Sequence, residues 1–246
     1  MSYSFETAVV TGASRGFGRA IAGALLAADA DVVGIARGEA ELLAVREELG
    51  ERFIPVVADA ADGDVADEVL RTYRPDLLVL NAGVAPRMAP VQEQDWESFS
   101  RNWNADTRQV FEWSRAALRE PLASGSVVLS MSSGAAIGGS PLSGGYASAK
   151  AAIRFLRGYA AGESERAGLG IRFLTLLPWL TPATGMGSAA IAAYAAYQGV
   201  TPETFEQGLQ PFLTPEQVAK AVLALVTDPG AAAESRLTGA GLEPIG

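Results

Sequence analysis

The sequence feature that most constrains the fold is a glycine-rich turn between an apolar segment and a helical pattern. The apolar segment covers residues 8–10, the turn reads Thr11-Gly12-Ala13-Ser14-Arg15-Gly16-Phe17-Gly18, and the helical pattern covers residues 19–28. Glycines in this position allow a tight turn and let the backbone approach a diphosphate, while the helix N-terminus offers free N–H groups. The turn therefore predicts a dinucleotide site, with an ordinary glycine-rich loop as the alternative. The residues assigned to the cofactor here are Gly12, Ser14, Arg15, Gly16, Phe17 and Gly18.

Further apolar segments follow the turn and alternate with helical patterns. They cover residues 31–37, 53–58, 76–80, 126–131 and 171–177. The segment 76–80 is almost wholly apolar, which is typical of a strand covered on both faces. The alternation predicts one α/β domain over residues 1–246, a Rossmann-type, doubly wound parallel sheet with helices on both faces. With 246 residues, 49% of them hydrophobic, the chain has enough apolar material for a single large core.

The second predicted strand ends at Ala36-Arg37, where such folds place the residue that meets the adenosine ribose. An acidic side chain here would accept hydrogen bonds from a free 2′-hydroxyl, whereas the guanidinium of Arg37 suits a 2′-phosphate. Arg15 offers a second cation. We therefore predict NADP in preference to NAD, with an ordinary surface charge as the alternative for each arginine. Asp59 and Ala60, at the end of the third strand, are predicted to contact the adenine.

Tyr146 and Lys150 stand four residues apart at the start of a long helical pattern. This spacing puts the phenol and the ammonium on one helix face, and a nearby cation favours the phenolate form of a tyrosine. The pair is thus a candidate proton donor and acceptor near neutral pH. A solvated helix surface is the alternative, because tyrosine and lysine meet at this spacing in many helices.

The composition narrows the chemistry open to the chain. Histidine and cysteine are both absent, which excludes Ser-His-acid triads, thiol catalysis, and thiolate or imidazole metal sites, so acid–base work falls to Tyr, Lys, Asp or Glu. We predict no metal site. A net charge of −9 without a basic run disfavours nucleic acid and anionic membranes as partners. No apolar run reaches the roughly 18 residues that span a bilayer, and the N-terminus has no targeting pattern, so we expect a cytoplasmic protein.

Four motifs, in the same order and at the same intervals, resemble those of the short-chain dehydrogenase/reductase family in its compact branch. They are the turn Thr11-Gly12-x-x-x-Gly16-x-Gly18, then Asn81-Ala82-Gly83 after the fourth strand, Ser133, and Tyr146-x-x-x-Lys150. The resemblance covers nearly the whole chain. It implies that Asn81, Ala82 and Gly83 also line the cofactor site.

The resemblance implies hydride transfer between the nicotinamide of NADP(H) and a carbonyl carbon. Tyr146 is then the general acid in reduction and, as phenolate, the base in oxidation. Lys150 supports the tyrosine and hydrogen-bonds the nicotinamide ribose, and Ser133 hydrogen-bonds the substrate oxygen. Ser133 is chosen on family spacing alone, with Ser132 and Ser130 as alternatives.

One departure from the family pattern concerns an asparagine in the helix after the fourth strand, which is thought to act largely through its backbone carbonyl. Counting back from residues 115–118 places Asp106 there, while a gap would restore Asn104. We include Asp106 among the catalytic candidates. An ionised Asp106 close to Lys150 would hold the ammonium more tightly and weaken its effect on Tyr146, unless the carboxylate points elsewhere.

A second departure is Pro178-Trp179, where the family commonly has Pro-Gly. The indole replaces a glycine that lets the backbone pass the nicotinamide, so Pro178 and Trp179 are assigned to the cofactor site. Trp179 either lines the substrate pocket or packs outward; both remain open.

Residues 180–213 are rich in Ala, Gly, Thr and Pro, and lie where the family carries its variable substrate lid. No basic cluster occurs there, so we predict a neutral, fairly hydrophobic ketone, aldehyde or secondary alcohol as the small-molecule substrate. The leading hypothesis is an NADPH-dependent carbonyl reductase or alcohol dehydrogenase. The alternatives are a non-catalytic NADP-binding sensor and a lyase-type or epimerising relative with tightly held NAD.

The helices predicted within residues 96–119 and 147–167 carry more apolar surface than one sheet face needs. Family members commonly associate through these helices, so we expect a homodimer or homotetramer.

Overall fold

The computed structural model describes residues 5–245 and contains one eight-stranded sheet with helices on both faces. The strands are β1 (Thr7–Thr11), β2 (Asp31–Ala36), β3 (Phe53–Val57), β4 (Leu77–Leu80), β5 (Val127–Met131), β6 (Arg172–Pro178), β7 (Glu234–Thr238) and β8 (Gly241–Pro244). The helices are α1 (Gly16–Ala27), α2 (Glu39–Leu49), α3 (Gly63–Tyr73), α4 (Trp96–Asn102), α5 (Arg108–Arg119), α6 (Ala135–Gly138), α7 (Gly144–Arg166), α8 (Gly185–Gln198), α9 (Pro202–Gln207) and α10 (Pro215–Thr227). A 3₁₀ turn (Val91–Glu93) precedes α4, and a π-helical segment (Trp103–Thr107) joins α4 to α5.

The sheet runs in the order β3-β2-β1-β4-β5-β6-β7-β8, and every neighbouring pair is parallel except β7 and β8. On β1, Val9 pairs with Val33 of β2 on one side and with Leu78 of β4 on the other. The strand order therefore reverses at β1 and β4, and in open α/β sheets the crevice at such a reversal is where ligands bind. The predicted doubly wound parallel sheet is confirmed.

Alternate residues along the strands pack into two cores, one on each face of the sheet. Val10 and neighbouring side chains pack under α1, α2 and α10. Val9 and Leu78 face the opposite layer, which is formed by α3, α5 and α7. Because both faces are covered, residues 77–80 of β4 are wholly buried, as their continuous apolar run predicts.

Two strands beyond residue 177 complete the sheet. β7 spans Glu234–Thr238, and β8 adds an antiparallel edge. All four residues of β8 are exposed, so its sequence carries no apolar alternation that would have predicted it. Across residues 5–245, none of the helices combines the length and the apolar character needed to cross a bilayer.

Candidate active site

The glycine-rich turn joins the carboxyl end of β1 to α1 and is held by close backbone packing. Gly12 and Gly16 have φ values of +67° and +55°, a backbone conformation that residues other than glycine rarely adopt. A Cβ on Gly18 would lie 2.1 Å from the carbonyl oxygen of Gly12. The first turn of α1 therefore packs directly on the loop, as a dinucleotide turn requires.

The amino end of α1 is available to an anion. Its N-cap residue, Arg15, has an exposed side chain, and no side chain in the described part of the chain caps this helix. Ser14 is half-buried, and Phe17 packs against the core beneath the helix. Free N–H groups at a helix start, with glycines that keep side chains out of the way, fit the diphosphate of a dinucleotide.

Asn81 and Ala82, after β4, lie against the same turn. The Asn81 side chain donates to the Thr11 carbonyl at 3.0 Å, and the backbone N–H groups of Asn81 and Ala82 donate to Thr11 Oγ1 at 2.8 and 3.0 Å. A Cβ on Gly12 would lie 2.9 Å from the Ala82 Cα. The two predicted cofactor motifs are thus in direct contact at the point where the strand order reverses.

Gln109 is a buried residue of this site that the sequence analysis missed. Its Oε1 accepts a hydrogen bond from Thr11 Oγ1 at 2.8 Å, and its Nε2 donates to the carbonyl of Ala82. It is 1% exposed and lies at the start of α5 beside apolar neighbours. A glutamine within the apolar stripe of a helix is the only signal in the sequence that points to it.

The residues predicted at the adenosine end also lie at the carboxyl ends of their strands. Arg37 is exposed and borders a cleft of about 640 Å³ that Arg87 and Arg101 also line. Asp59 Oδ1 accepts from the N–H of Ala61 at 2.9 Å. The carbonyl of the buried Ala60 accepts from the indole N–H of Trp113 on α5, also at 2.9 Å, which fixes the loop after β3 against that helix.

Tyr146 and Lys150 occupy successive turns near the start of α7. Lys150 Nζ lies 5.5 Å from the centre of the Tyr146 ring and donates to the carbonyl of Met131 at 3.1 Å. Lys150 is buried, whereas Tyr146 is half-buried. The carboxyl end of β5 therefore anchors the ammonium beside the phenol.

The three serines at the end of β5 have different surroundings. Ser130 Oγ is buried within 3.0 Å of Thr175 Oγ1, and Ser132 Oγ donates to the carbonyl of Lys150 at 2.8 Å. Ser133 is half-buried, and its hydroxyl oxygen accepts from the N–H of Ala135 at 3.2 Å, which leaves its O–H free to donate. Of the three, only Ser133 combines access from outside with a donor not already used.

Asp106, and not Asn104, contacts the lysine. Its Oδ2 lies 3.1 Å from Lys150 Nζ, its Oδ1 accepts from the N–H of Val84 at 3.0 Å, and its side chain is fully buried. Asn104 is exposed on the same π-helical segment. Burial lowers the pKa of Lys150, but the Asp106 carboxylate, and to a smaller extent Tyr146, outweigh it and raise that pKa above the ordinary lysine value.

Trp179 packs against Gly134 at the carboxyl end of β6. A Cβ on Gly134 would lie 2.3 Å from the indole ring, and the N–H of Gly134 donates to the carbonyl of Pro178 at 3.0 Å. The indole is 39% exposed. The indole thus covers Gly134, the residue after Ser133, and only glycine fits beneath it.

Comparison with known proteins places the chain in a family. The sequence profile of the short chain dehydrogenases matches residues 6–195. The chain therefore belongs to the short chain dehydrogenase family, and the resemblance inferred from the four motifs is confirmed.

Three curated relatives show the range of similarity. A short chain dehydrogenase of Pseudocercospora fijiensis is 33% identical over 175 residues, covering 67% of this chain and 56% of the relative. L-xylulose reductase of Bos taurus is 36% identical over 160 residues, with coverages of 63% and 64%. Carbonyl reductase (NADPH) 2 of Sus scrofa is 35% identical over 126 residues, or 51% of each chain. The chain thus spans between about half and two thirds of the length of these relatives.

Solved structures match over more of the chain. A putative NAD(P)-dependent gluconate 5-dehydrogenase from Beutenbergia cavernae with bound NADP is 28% identical, with a TM-score of 0.82 and 97% of each chain covered. A 3-ketoacyl-(acyl-carrier-protein) reductase from Brucella melitensis complexed with NADH has a TM-score of 0.76 over 94% of this chain. At 23% identity the second likeness concerns the fold alone.

Proposed function

We propose that the protein is an NADP(H)-dependent oxidoreductase that interconverts a neutral, fairly hydrophobic ketone or aldehyde with the corresponding alcohol. When bound, the cofactor supplies the hydride in reduction and takes it up in oxidation. The observation that carries the proposal is that Lys150 Nζ, held by the Met131 carbonyl at the end of β5 just before Ser133, lies 5.5 Å from the centre of the Tyr146 ring.

The chain's own residues handle the proton. In reduction, Tyr146 donates its phenolic proton to the oxygen that develops negative charge, and in oxidation its phenolate takes up the alcohol proton. The ammonium of Lys150, fixed by the carbonyl of Met131, favours the phenolate form. The free O–H of Ser133 donates to the same substrate oxygen and stabilises the charge that develops there.

The residues that would hold the cofactor surround the reversal of strand order. The proposed set is Gly12, Ser14, Arg15, Gly16, Phe17, Gly18, Arg37, Asp59, Ala60, Asn81, Ala82, Gly83, Tyr146, Lys150, Pro178 and Trp179. Arg37 and Arg15 are both exposed, so their guanidinium groups are available to a 2′-phosphate. Replacing Arg37 by Asp should lower the preference for NADPH over NADH by about 10-fold to 100-fold, the equivalent of one charge-assisted hydrogen bond. An unchanged ratio of kcat/KM values would remove the argument for NADP.

The proposed substrate class follows from the walls of the space in front of Ser133. Trp179 supplies an apolar wall, and we assign residues 180–213, within a single domain, to the substrate lid. This segment contains no lysine or arginine that would bind a carboxylate or phosphate. At its start, the methyl group of Thr184 lies 3.8 Å from the position of a Cβ on Gly16, so the lid also borders the cofactor turn. Relatives named carbonyl reductase and L-xylulose reductase support a carbonyl substrate.

We also propose a homodimer or homotetramer, formed through exposed aromatic side chains on α5, α7 and the π-helical segment. Trp103, Phe111, Phe155 and Tyr159 are between 40% and 74% exposed. Patches of this kind usually mark an interface. Gel filtration with light scattering should find an oligomer that Phe155→Glu dissociates, and a clean monomer of the unmodified chain at micromolar concentration would overturn the proposal.

The decisive experiment follows NADPH consumption against a panel of neutral ketones and aldehydes, with Tyr146→Phe as the matched variant. The hydroxyl deletion should lower kcat by at least about 100-fold while leaving NADPH binding in place, because general acid catalysis contributes factors of this size. Undiminished turnover in Tyr146→Phe would reject Tyr146 as the acid. Cofactor binding without turnover of any carbonyl compound would reject the oxidoreductase hypothesis in favour of a non-catalytic NADP-binding sensor.

A further inference from the structure

Asp106 reaches Lys150 with its side chain, and the geometry calls for a carboxylate. Its two oxygens face two donors, the N–H of Val84 at 3.0 Å and the ammonium of Lys150 at 3.1 Å. An asparagine amide in this position would turn its own NH₂ group toward one of the two donors. A carboxylate accepts at one oxygen from the Val84 N–H and carries negative charge at the other, which pairs with the ammonium.

We propose that Asp106 is a positioning residue, whose buried carboxylate fixes Lys150 Nζ and offsets its charge, so that Tyr146 stays protonated to higher pH. This inference rests on the proposed function of Tyr146 as the acid and base. Its consequence is a site biased toward proton donation, and therefore toward carbonyl reduction, near neutral pH. Alcohol oxidation, which needs the phenolate, is displaced to more alkaline conditions.

The backbone around Asp106 is shaped to deliver the carboxylate. The π-helical segment Trp103–Thr107 interrupts the helix between α4 and α5, and such single-turn insertions are frequent at functional sites. Thr107 Oγ1 donates to the carbonyl of Ala149 at 3.2 Å, which ties the segment to the helix that carries Lys150. On the other side, a Cβ on Gly83 would lie 2.9 Å from Asp106 Oδ2, so only glycine leaves room for the carboxylate.

Few charged or polar groups surround the ammonium of Lys150. From its own helix it faces Tyr146, from the π-helical segment it faces Asp106, and from β5 it faces the uncharged carbonyl of Met131. Within residues 5–245, Asp106 and Tyr146 are the ionisable groups that act on it. The ammonium of a paired lysine presents a dipole to the phenol, where an unpaired lysine would present a full positive charge. Phenolate is therefore stabilised less than by lysine alone.

The proposal is tested on the pH dependence of the two directions in Asp106→Asn. For oxidation of a secondary alcohol with NADP⁺, the rise of kcat/KM with pH should move to lower pH by about one unit, which is about a 10-fold gain on the acidic side of the rise. Asp106→Ser, whose hydroxyl accepts from one donor and presents no amide, should move the profile in the same direction. Asp67→Asn, which removes a carboxylate paired with Arg119 at the opposite end of α5, is the control and should leave the profile in place.

A second measurement keeps this test separate from the proposed function. Ionisation of Tyr146 is followed by ultraviolet difference spectra between each protein and its Tyr146→Phe counterpart, without substrate. The Asp106→Asn background should ionise this tyrosine at lower pH. If no carbonyl is turned over but the spectra shift, the proposed function fails and the role of Asp106 stands. A profile and spectra that stay in place or move to higher pH, or a loss of kcat/KM that is equal at every pH, would overturn the role of Asp106.

Discussion

Replacement of Gln109 tests whether the glycine-rich turn after β1 is held in place through α5. The glutamine joins Thr11 Oγ1 to the carbonyl of Ala82, and both of these groups belong to the reversal of strand order. Gln109→Met keeps the length of the side chain and deletes both hydrogen bonds. The fold should survive, but with a looser connection between the turn and the residues after β4.

The size of the stability loss depends on whether the Thr11 hydroxyl and the Ala82 carbonyl find other hydrogen-bond partners once the glutamine is gone. The Thr11 hydroxyl has a second acceptor, the Val79 carbonyl at 3.5 Å, so its loss is partly recovered. The Ala82 carbonyl is only half-buried, which lets water reach it to some extent. Leaving a buried polar group unsatisfied costs about 1–3 kcal/mol, so two partly compensated groups give a loss of about 2–4 kcal/mol in the free energy of unfolding. For a chain of this size, that lowers Tm by roughly 4–16 °C.

Gln109→Glu supplies a matched variant with a signed pH dependence. One carboxylate oxygen can accept from Thr11, but the other faces the Ala82 carbonyl, which is also an acceptor, so the glutamic acid must be protonated to bond both. Its pKa in the folded state is then raised above the unfolded value of about 4.3. A raised folded-state pKa gives stability that is present below the unfolded pKa and is lost as pH rises through the folded pKa, at about 1.4 kcal/mol per pH unit.

The assay is urea denaturation of wild type, Gln109→Met and Gln109→Glu between about pH 4 and pH 8. Gln92→Met, at an exposed glutamine of the 3₁₀ turn, controls for the substitution itself. The free energy of unfolding of Gln109→Met should lie below that of wild type by the same amount at every pH, whereas that of Gln109→Glu should fall further below wild type as the pH rises. A free energy of unfolding of Gln109→Met within about 0.5 kcal/mol of wild type would refute the reasoning, as would a loss in Gln109→Glu that does not depend on pH.

Three further predictions concern the same site. Gly18→Ala should destabilise the protein by about 1–3 kcal/mol in thermal melts, because its Cβ meets the Gly12 carbonyl oxygen. Gly23→Ala, also on α1, places its Cβ 3.6 Å from Leu49 of α2 and should be neutral or stabilising; equal effects of the two substitutions would contradict this. Because the pKa of Lys150 is raised in the folded state, the charged lysine stabilises the fold fully below the ordinary pKa of 10.5, and this stabilisation is lost at higher pH. The difference in the free energy of unfolding between wild type and Lys150→Met should therefore narrow only above pH 10.5. Narrowing that begins near neutral pH would contradict this prediction. Trp179→Ala should raise kcat/KM for bulky ketones relative to small ones by about 10-fold, and an unchanged ratio in steady-state assays would show that the indole does not border the substrate.

The fold could be predicted because its determinants are local or periodic. Glycines of the turn reflect backbone conformation and close packing, which act over a few residues, and the buried parallel strands appear as continuous apolar runs. The extent of the last strands could not be predicted in the same way. β8 is an exposed edge whose pairing with β7 depends on the turn between them, and its residues carry no periodic signal.

The candidate site was predictable by residue type, but not in the roles of its buried polar groups. The choice among Ser130, Ser132 and Ser133 rested on family spacing, because burial and hydrogen-bond use, which separate them, depend on neighbouring strands and on α7. The orientation of Asp106 was open for a related reason. A π-helical insertion changes the helical phase of every residue after it, so simple counting along the helix does not give the direction of a side chain.

The start of α5 joins the two halves of the site. Asp106 holds Lys150 and the N–H of Val84, and one helical turn later Gln109 holds Thr11 and Ala82. A movement of this segment therefore acts on the lysine and on the glycine-rich turn together, because Asp106, Gln109 and their partners Lys150 and Thr11 are all buried. Under the proposed function, hydride transfer needs the nicotinamide and the tyrosine in fixed relative positions, and a segment in contact with both neighbourhoods would help to fix them. Asp106 and Gln109 thus connect the glycine-rich turn to the helix that carries Tyr146 and Lys150, which the sequence presents as separate motifs.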